Sequence, residues 1–371
     1  MNSLSRSDAP ASVDTTRPLY RRDQLVRLLH PRSVAIVGVS PRPGTFGLRT
    51  LANLAPFEGR VDLVNGKYER IGELACHPSI AALPEVPDCV AVVVNQAAVE
   101  DVVAQCIDCG VGGVIVYASD YAETGNPEKI ALQARLVDRV AGTSTRLLGP
   151  NCLGMNNYVC KARVTFGRMP APRPLGRMSI GLVAQSGALG MALAQAVEHG
   201  VSVSHSFTAG NASDVGIADL VGYLAEDPAC QVIACLFEGV PEPRRLIAAA
   251  ERARQHDKPL IFYKMATGTE GAAAALSHTG TLAGSDAVYR AALSRAGAVF
   301  VDEFEDLVET AVFFGKAGRP RARGAVVIVS SGGAGVMAAD KAEARGVAMP
   351  QPTGATLAVL EREIPATSPR R

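Results

Sequence analysis

The chain has 371 residues, of which 37 are basic and 36 acidic, and a formal net charge of +1. The balanced charge, the 5% aromatic content and the absence of tryptophan argue against a nucleic-acid-binding surface. No apolar run approaches the roughly 20 residues needed to cross a bilayer, and the polar first residues do not resemble a signal peptide. The length favours two or three domains, and we expect a cytoplasmic protein without nucleic-acid or membrane partners.

Short β-branched runs alternate with amphipathic stretches along the chain, which predicts an α/β fold with parallel sheets covered by helices. In the first region a buried strand starts at Ser33 and runs into a glycine turn. Further strands are predicted at residues 61–64, 89–94 and 113–117, with a helix over 97–109.

The same alternation restarts after a proline-rich connector at residues 168–177. It predicts strands at 180–184, 203–208, 232–237, 259–264 and 298–301, and helices at 216–226, 285–296 and 303–314. After a second linker at residues 315–323, it predicts a strand at 325–329 and a helix to about residue 345. The residues that follow are too few to complete a doubly wound sheet, so we expect a truncated third domain.

A glycine turn between a strand and a helix, from Gly38 to Gly47, is the context in which backbone N–H groups hold a phosphate. The turn is not a strict dinucleotide motif, and a plain tight turn is the alternative. The next strand ends near Lys67, where a dinucleotide-binding fold has an acidic residue. Lysine there favours a phosphate-rich ligand and disfavours a nicotinamide dehydrogenase.

Three strand ends in the second region carry candidate site residues. Ser186 is predicted to be the N-cap of a helix whose first residues are small, which suits a bound anion, although simple capping is the alternative. Asn211 lies in the loop after the next strand, where open α/β sheets bind ligands. Glu238 ends the strand after that and could orient a histidine, or be an ordinary surface glutamate.

His278 is predicted to lie in a flexible loop just before a helix that begins near Ser285. A neutral imidazole is a competent nucleophile near pH 7 and can carry a group covalently. The glycines and alanines around it predict a loop that travels between two sites. Taken alone, the histidine is better interpreted as an ordinary loop or capping residue.

Five motifs in order carry a family resemblance, at residues 148–154, 183–189, 209–214, 237–239 and 276–284. Through them the chain resembles the CoA-binding and ligase regions of the nucleoside-diphosphate-forming acyl-CoA synthetases, and it is similar to the α subunit of succinyl-CoA synthetase. The resemblance implies a flexible tail over residues 1–29 and a Rossmann-like CoA-binding domain over 30–160. It further implies a flavodoxin-like ligase domain with the histidine loop over 161–318, and the start of a second flavodoxin-like domain over 319–371.

The resemblance also implies an acid–thiol ligase. A nucleoside triphosphate would phosphorylate His278, supported by Glu238; the phosphate would pass to a carboxylic acid, and CoA would attack the acyl phosphate. The implied phosphate-binding residues are Ser186, Gly187, Ala188 and Asn211. The implied CoA-binding residues are Gly38, Ser40, Gly44, Thr45, Gly47, Lys67, Tyr117 and Ser119.

The chain departs from the family pattern in two turns and in one domain. It has Asn65-Gly66-Lys67 where the family commonly has Asn-Pro-Lys, and Lys264-Met-Ala-Thr-Gly268 where the family has a lysine-rich Gly-Arg turn. It contains no ATP-grasp domain, so ATP and Mg²⁺ would bind to a separate subunit or a missing C-terminal part, and we expect a homo- or hetero-oligomer. No metal site is expected in this chain. The alternative function is a non-catalytic CoA-binding regulatory or scaffold protein.

Overall fold

The computed structural model describes residues 17–171, 173–279, 284–318 and 324–363, without the side chains of residues 276–279. The chain forms two compact units, Met1–Lys316 and Ala317–Arg371. Within the described ranges the first unit holds two seven-stranded sheets with helices, which confirms the predicted α/β class. No helix in these ranges is both long and apolar enough to cross a membrane.

The first sheet has the strand order β3-β4-β2-β1-β5-β6-β7, and its neighbouring strands are parallel except β3 and β4. Its strands are β1 Ser33–Val37, β2 Arg60–Val64, β3 Arg70–Ile71, β4 Leu74–His77, β5 Cys89–Val92, β6 Gly113–Val116 and β7 Arg146–Leu148. The accompanying helices are α1 Arg22–Leu29, α2 Phe46–Asn53, α3 Gln96–Asp108 and α4 Pro127–Val140. Because β1 has β2 on one side and β5 on the other, the connections leave β1 in opposite directions. This makes a switch-point crevice at its carboxyl end.

The second sheet has the order β14-β13-β12-β10-β11-β8-β9. Its strands are β8 Gly154–Asn157, β9 Ala162–Thr165, β10 Ile180–Ala184, β11 Val203–Thr208, β12 Val232–Phe237, β13 Leu260–Lys264 and β14 Val299–Val301. Its helices are α5 Gly187–Ala194, α6 Ile217–Glu226, α7 Pro243–Gln255, α8 Thr269–Thr279, α9 Asp286–Arg295 and α10 Phe304–Ala317. Strand β10 lies between β11 and β12, so a second switch-point crevice forms at its carboxyl end.

An antiparallel hairpin, β8 and β9, extends the second sheet beyond β11. The domain boundary predicted between residues 160 and 161 falls inside this hairpin, so it does not coincide with the division between the sheets. The sequence places both strands after the motif at residues 148–154, and nothing in their composition indicates which sheet they join. The antiparallel pairing of β8 with β11 decides it.

The flexible tail predicted over residues 1–29 is wrong for its last part. Leu25, Leu28 and Leu29 of α1 are fully buried, at the spacing that places side chains on one helix face. Ahead of this helix, Arg17 forms an ion pair of 2.9 Å with the fully buried Asp219, which also accepts the N–H of Tyr20 at 3.0 Å. Residues 1–16 lie outside the described chain.

The second unit contains α11, Gly332–Ala344, and α12, Gly354–Glu363. The predicted helix is confirmed, but the strand predicted at residues 325–329 is wrong, because these residues have no regular structure. Val326 and Ile328 are 70% and 80% exposed. One backbone bond, from the N–H of Ala325 to the carbonyl of Ala348 at 2.8 Å, ties this segment to another. A strand needs a ladder of such bonds, and no strand in the described part of this unit provides one.

Candidate active site

The crevice of the first sheet is built around close backbone contacts at Gly38. Its N–H donates to the carbonyl of Val64 at 2.9 Å, and its φ is +91°. A Cβ there would lie 2.5 Å from the carbonyl oxygen of Val93, so glycine is required twice over. A Cβ on Gly47 would lie 2.9 Å from the Cα of Val39. The glycine turn therefore brings the start of α2 close to the end of β1, as the sequence predicts.

The other residues of the predicted CoA site surround this turn. Gly44 is exposed with φ +78° and open space around it. Thr45 is the N-cap residue of α2, and its hydroxyl donates to the carbonyls of Arg42 at 3.0 Å and Ser40 at 3.4 Å. The turn holds its own shape through these bonds and leaves the exposed glycine accessible.

Lys67 and Ser119 are exposed, at the carboxyl ends of strands on either side of β1. Asn65, named from the sequence only as part of a turn that departs from the family pattern, donates to the carbonyl of Val39 at 2.7 Å and accepts the N–H of Lys67 at 3.0 Å. Asn65 therefore fixes the turn that carries the lysine. Its signal was present, because an asparagine at a strand end commonly bonds the backbone two residues on.

The side chain of Tyr117 is buried and does not face the open crevice as a ligand contact would. It is 6% exposed, and its hydroxyl lies 3.2 Å from the hydroxyl of Thr50 in α2. Its ring meets that of Phe166 edge-on at 4.9 Å. Burial raises the pKa of the Tyr117 phenol far above its usual value. The side chain thus braces α2 against the sheet, while the backbone at the end of β6 faces the crevice edge.

The crevice of the second sheet starts at the end of β10. Ser186 is the N-cap residue of α5, as predicted, and its hydroxyl accepts the N–H of Leu189 at 3.4 Å. The N–H groups of Gly187 and Ala188 lie in the first turn, where a helix offers them no acceptor. A Cβ on Gly187 would lie 2.7 Å from the side chain of Leu153. This helix start therefore presents backbone donors and the positive end of its dipole.

Glu238 follows β12 directly, is 8% exposed, and is tied to the same helix start by Gln185. The side-chain oxygen of Gln185 accepts the N–H groups of Glu238 at 2.9 Å and Gly239 at 3.4 Å. Gln185 immediately precedes the N-cap serine, so one amide joins the ends of two neighbouring strands. Gln185 lies within the sequence motif at residues 183–189, which does not indicate a role for it.

Lys264 is a second residue that the sequence reading left without a role. It is 2% exposed and donates to the carbonyl oxygens of Glu238 at 3.1 Å and Met265 at 3.0 Å. Burial lowers the pKa of its amine, and the charges of Asp286 and Glu238 oppose that shift. Lysine is rarely buried, so a lysine that ends the otherwise apolar strand β13 could have been noticed in the sequence as a candidate site residue.

The side chain of Asn211 bonds to other protein side chains and is not free to bind a phosphate. Its side-chain N–H groups donate to Glu123 at 2.5 Å and Gln133 at 2.8 Å, and its oxygen lies 3.3 Å from the amide nitrogen of Asn151. These partners belong to the first sheet and its helices. Asn211 therefore joins the two sheets, and its predicted phosphate contact requires it to release one of these bonds.

A cavity of about 40 Å³ lies beside Gln185 and Asn211. Glu242 and Arg245 also line it, and they form an ion pair of 2.7 Å. The Arg245 guanidinium also pairs with the fully buried Asp219 at 2.5 Å, which lowers the pKa of that carboxyl against the opposing effect of burial. Arg245 thus pairs with two carboxylates beside the cavity. In the part of the chain that the structure describes, no group of three or more His, Cys, Asp or Glu could hold a metal.

His278 lies in the last turn of helix α8, so the loop predicted for it is wrong for the described backbone. The alanine-rich stretch before it was interpreted as flexible, but alanine is the strongest helix former. Helix α8 lies against the 3-10 turn Ala122–Thr124, which follows β6 of the first sheet. The side chain of His278 and residues 280–283 lie outside the described part. Ser285 precedes α9 as its N-cap residue, as predicted.

Unusual backbone conformations are concentrated in this region. Asp120, Asn151, Ala212 and Ala266 have φ between 52° and 77°, and each follows a strand at its carboxyl end. Non-glycine residues in this conformation are strained and persist where the surrounding contacts hold them, as happens at functional sites. Among the described residues, four of the six non-glycine residues with positive φ thus lie at carboxyl ends of strands, while Lys161 and Asp257 lie in other turns.

The comparisons with known proteins agree with this architecture. Residues 32–158 match a family model described as CoA binding domain, and residues 177–314 match one described as succinyl-CoA ligase like flavodoxin domain. The two crevices thus belong to a CoA-binding domain and to a ligase domain on one chain.

Curated relatives extend over most of the chain. It is 35% identical over 343 residues to the ADP-forming acetate–CoA ligase I of Archaeoglobus fulgidus, covering 92% of this chain and 49% of that protein. It is 33% identical to the α subunit of ADP-forming acetate–CoA ligase I of Pyrococcus furiosus, covering 87% of this chain and 70% of that subunit. The chain thus spans about half the length of the first of these relatives.

A solved structure is also similar, the dinucleotide forming acetyl-coenzyme A synthetase 1 of Ca. Korarchaeum cryptofilum in complex with phosphate and ADP. It has a TM-score of 0.85 and 30% identity, covering 93% of this chain and 74% of that chain. The chain belongs to the NDP-forming acyl-CoA synthetase family. The resemblance stated from the sequence motifs is confirmed.

Proposed function

We propose that this chain is the acid–thiol ligase component of an NDP-forming acyl-CoA synthetase and works through a phosphohistidine at His278. The observation that carries the proposal is the second crevice. There Gln185, which directly precedes the helix N-cap Ser186, accepts the backbone N–H of Glu238 and so holds the strand end that carries this carboxylate beside the helix N-terminus. Phosphoryl transfer depends mainly on positioning and charge stabilisation, which such a site provides.

Each proposed step has a donor and an acceptor. The P–N bond of the phosphohistidine breaks as a carboxylate oxygen of the acid attacks phosphorus, giving an acyl phosphate and a neutral histidine. The thiolate of CoA then attacks the acyl carbon, so a C–S bond forms, the C–O bond breaks, and phosphate leaves. The N–H groups of Gly187 and Ala188, with Ser186 and Asn211, would bind the phosphate. Glu238 would orient the imidazole and favour its charged form.

CoA is a substrate of this reaction, and the first crevice fits its phosphate-rich part. The fit rests on Gly38, where a Cβ would collide with the neighbouring strand end, and on the exposed Gly44 and Lys67. The proposed contacts are Gly38, Ser40, Gly44, Thr45, Gly47, Lys67, the end of β6 at Tyr117, and Ser119. A glycine turn at a helix start leaves backbone N–H groups free for phosphate oxygens.

The nucleotide would be bound by an ATP-grasp domain or subunit that joins this chain, together with Mg²⁺. The similar subunit of P. furiosus is named as an α subunit, and the similar structure of Ca. Korarchaeum cryptofilum holds phosphate and ADP. Acetate is the first acid to test, because the relatives are named acetate–CoA ligases. Assembly with such a partner is part of the proposal.

The reverse half-reaction tests the proposal without a nucleotide. The chain is incubated with ³²P-phosphate and a panel of thioesters that includes acetyl-CoA, aliphatic and aromatic acyl-CoAs. We expect acid-labile, alkali-stable label on His278, which disappears in His278→Ala and falls in Glu238→Gln. No label from any thioester, in protein that binds CoA, would favour a non-catalytic CoA-binding protein.

A further inference from the structure

We propose that Glu123 is a positioning residue, which sets the turn at residues 119–121 relative to the Asn211 loop and to the helix that carries His278. The inference rests on the proposed function, since the turn includes the proposed CoA contact Ser119. Glu123 lies in the 3-10 turn Ala122–Thr124, outside the residues that touch substrate in the proposal.

The first oxygen of Glu123 stabilises a strained turn. It accepts the N–H groups of Asp120 at 2.6 Å and Tyr121 at 3.2 Å. Asp120 has a φ of +77°, a conformation that non-glycine side chains rarely adopt. Bonds from two successive N–H groups to a charged oxygen are strong enough to hold this conformation. The backbone just after Ser119 therefore depends on the Glu123 carboxylate.

The second oxygen of Glu123 connects this turn to the other sheet. It accepts a side-chain N–H of Asn211 at 2.5 Å, and Asn211 lies in the loop after β11. Asn211 also donates to Gln133 of α4 at 2.8 Å, which is one of several uncharged contacts of the loop with the first domain, together with the bond of the Asn211 N–H to the carbonyl of Pro150 at 3.0 Å. One carboxylate thus fixes two loops that come from the switch-point edges of different sheets.

Helix α8 completes the arrangement, because its backbone lies against the 3-10 turn that contains Glu123. The turn is therefore the surface on which the histidine helix rests, and it directly follows the proposed CoA contact. A displacement of about 1 Å between reacting groups can cost on the order of a hundredfold in rate. Loosening this turn should slow transfer between thioester and histidine more than it weakens CoA binding.

The test uses the labelling of His278 from acetyl-CoA and ³²P-phosphate in four variants. Glu123→Ala removes both links. Glu123→Gln keeps one oxygen for the turn but presents an NH₂ group to Asn211. Gln133→Ala, the matched control, removes only the uncharged bond from the Asn211 side chain to Gln133. In Glu123→Ala combined with Asp120→Gly, glycine adopts the positive φ without strain; the lost ion pair of Asp120 with Lys129 is half-exposed and contributes little.

We expect Glu123→Ala to lower the initial labelling rate at saturating acetyl-CoA by roughly tenfold or more, with Glu123→Gln in between. The labelling rate of Gln133→Ala should stay within about twofold of the wild-type rate. Adding Asp120→Gly to Glu123→Ala should recover at least part of the lost rate. The Kd for CoA, measured by calorimetry, should change less than the labelling rate.

Three outcomes overturn the inference alone, provided that the wild-type chain is labelled. They are wild-type labelling rates in both Glu123 variants, an equal loss in Gln133→Ala, or no recovery by Asp120→Gly. A fall in CoA affinity that accounts for the whole loss of rate also contradicts a positioning role. An unlabelled wild-type chain would instead overturn the proposed function, and this inference with it.

Discussion

Replacing Gln185 with leucine tests the contact on which the second crevice depends. The substitution keeps a side chain of similar size but removes the oxygen that accepts the N–H groups of Glu238 and Gly239. Each buried donor left without an acceptor costs about 1–3 kcal/mol. The bond to Gly239 is the longer, at 3.4 Å, and so contributes less. We therefore expect a loss of about 2–4 kcal/mol, which lowers the thermal midpoint by roughly 4–8 °C.

The thermal midpoint is measured by calorimetry, and labelling of His278 from acetyl-CoA and phosphate is measured alongside it. Gln185→Glu is the matched control, because a carboxylate oxygen can accept the same two N–H groups. It should lose less than half as much stability as Gln185→Leu. Labelling should fall in Gln185→Leu, since the backbone of Glu238 loses its anchor. A leucine variant that melts within about 1 °C of the wild-type protein would show that this oxygen does not hold the strand end.

Three further predictions concern other parts of the first unit. Gly38→Ala should weaken both stability and CoA binding far more than Gly44→Ala, because only Gly38 lacks room for a Cβ; unfolding and calorimetric CoA titration of both variants check this. Burial lowers the pKa of His205 to about 4 from 6.5, so protons bind the unfolded chain first, and stability should fall as the pH drops from 6.5 to 4. The dependence of the free energy of unfolding on pH, measured by urea unfolding, should become weaker in His205→Phe. An unchanged dependence in this variant would contradict the prediction. Cys109 should be the first thiol alkylated in the native protein, because only Cys109 and Cys160 are half-buried and burial raises the pKa of the Cys160 thiol to about 11; peptide mapping would reveal any other order.

The elements most accurately predicted from sequence were those whose burial is uniform. Strands β10, β11 and β12 are buried along their whole lengths, and their predicted ranges agree with the structure. The segment at residues 325–329 has the same composition, but no strand of the described chain pairs with it, so composition alone was misleading. Hydrophobic pattern indicates what a segment can form, while hydrogen-bond partners far along the chain decide whether it does.

The candidate site divides along a similar line. The N-cap at Ser186 and the glycine turn at Gly38 are local features, readable from spacing, and both are confirmed as backbone structure. The roles of Gln185 and Glu123 depend on partners far along the chain. Gln185 bonds Glu238, 53 positions away, and Glu123 bonds Asn211, 88 positions away. No local pattern encodes such a pairing. The functional roles of these residues stay predictions.

The position of the two crevices follows from contacts between the sheets. The carboxylate of Asp214, after β11, accepts the N–H of Leu147 in β7 at 2.8 Å, and Ser213 donates to the carbonyl of Gly149 at 2.7 Å. These bonds attach the loop after β11 to the end of β7, so the carboxyl edges of both sheets are joined there. Switch-point crevices form at carboxyl edges, so this attachment brings the proposed CoA side and the proposed phosphate side to one junction. Helix α8 reaches the same junction through the turn after β6. The helix that carries the proposed phosphohistidine therefore lies beside the turn after β6, at the carboxyl edge of the first sheet, which is a position that the proposed transfer requires.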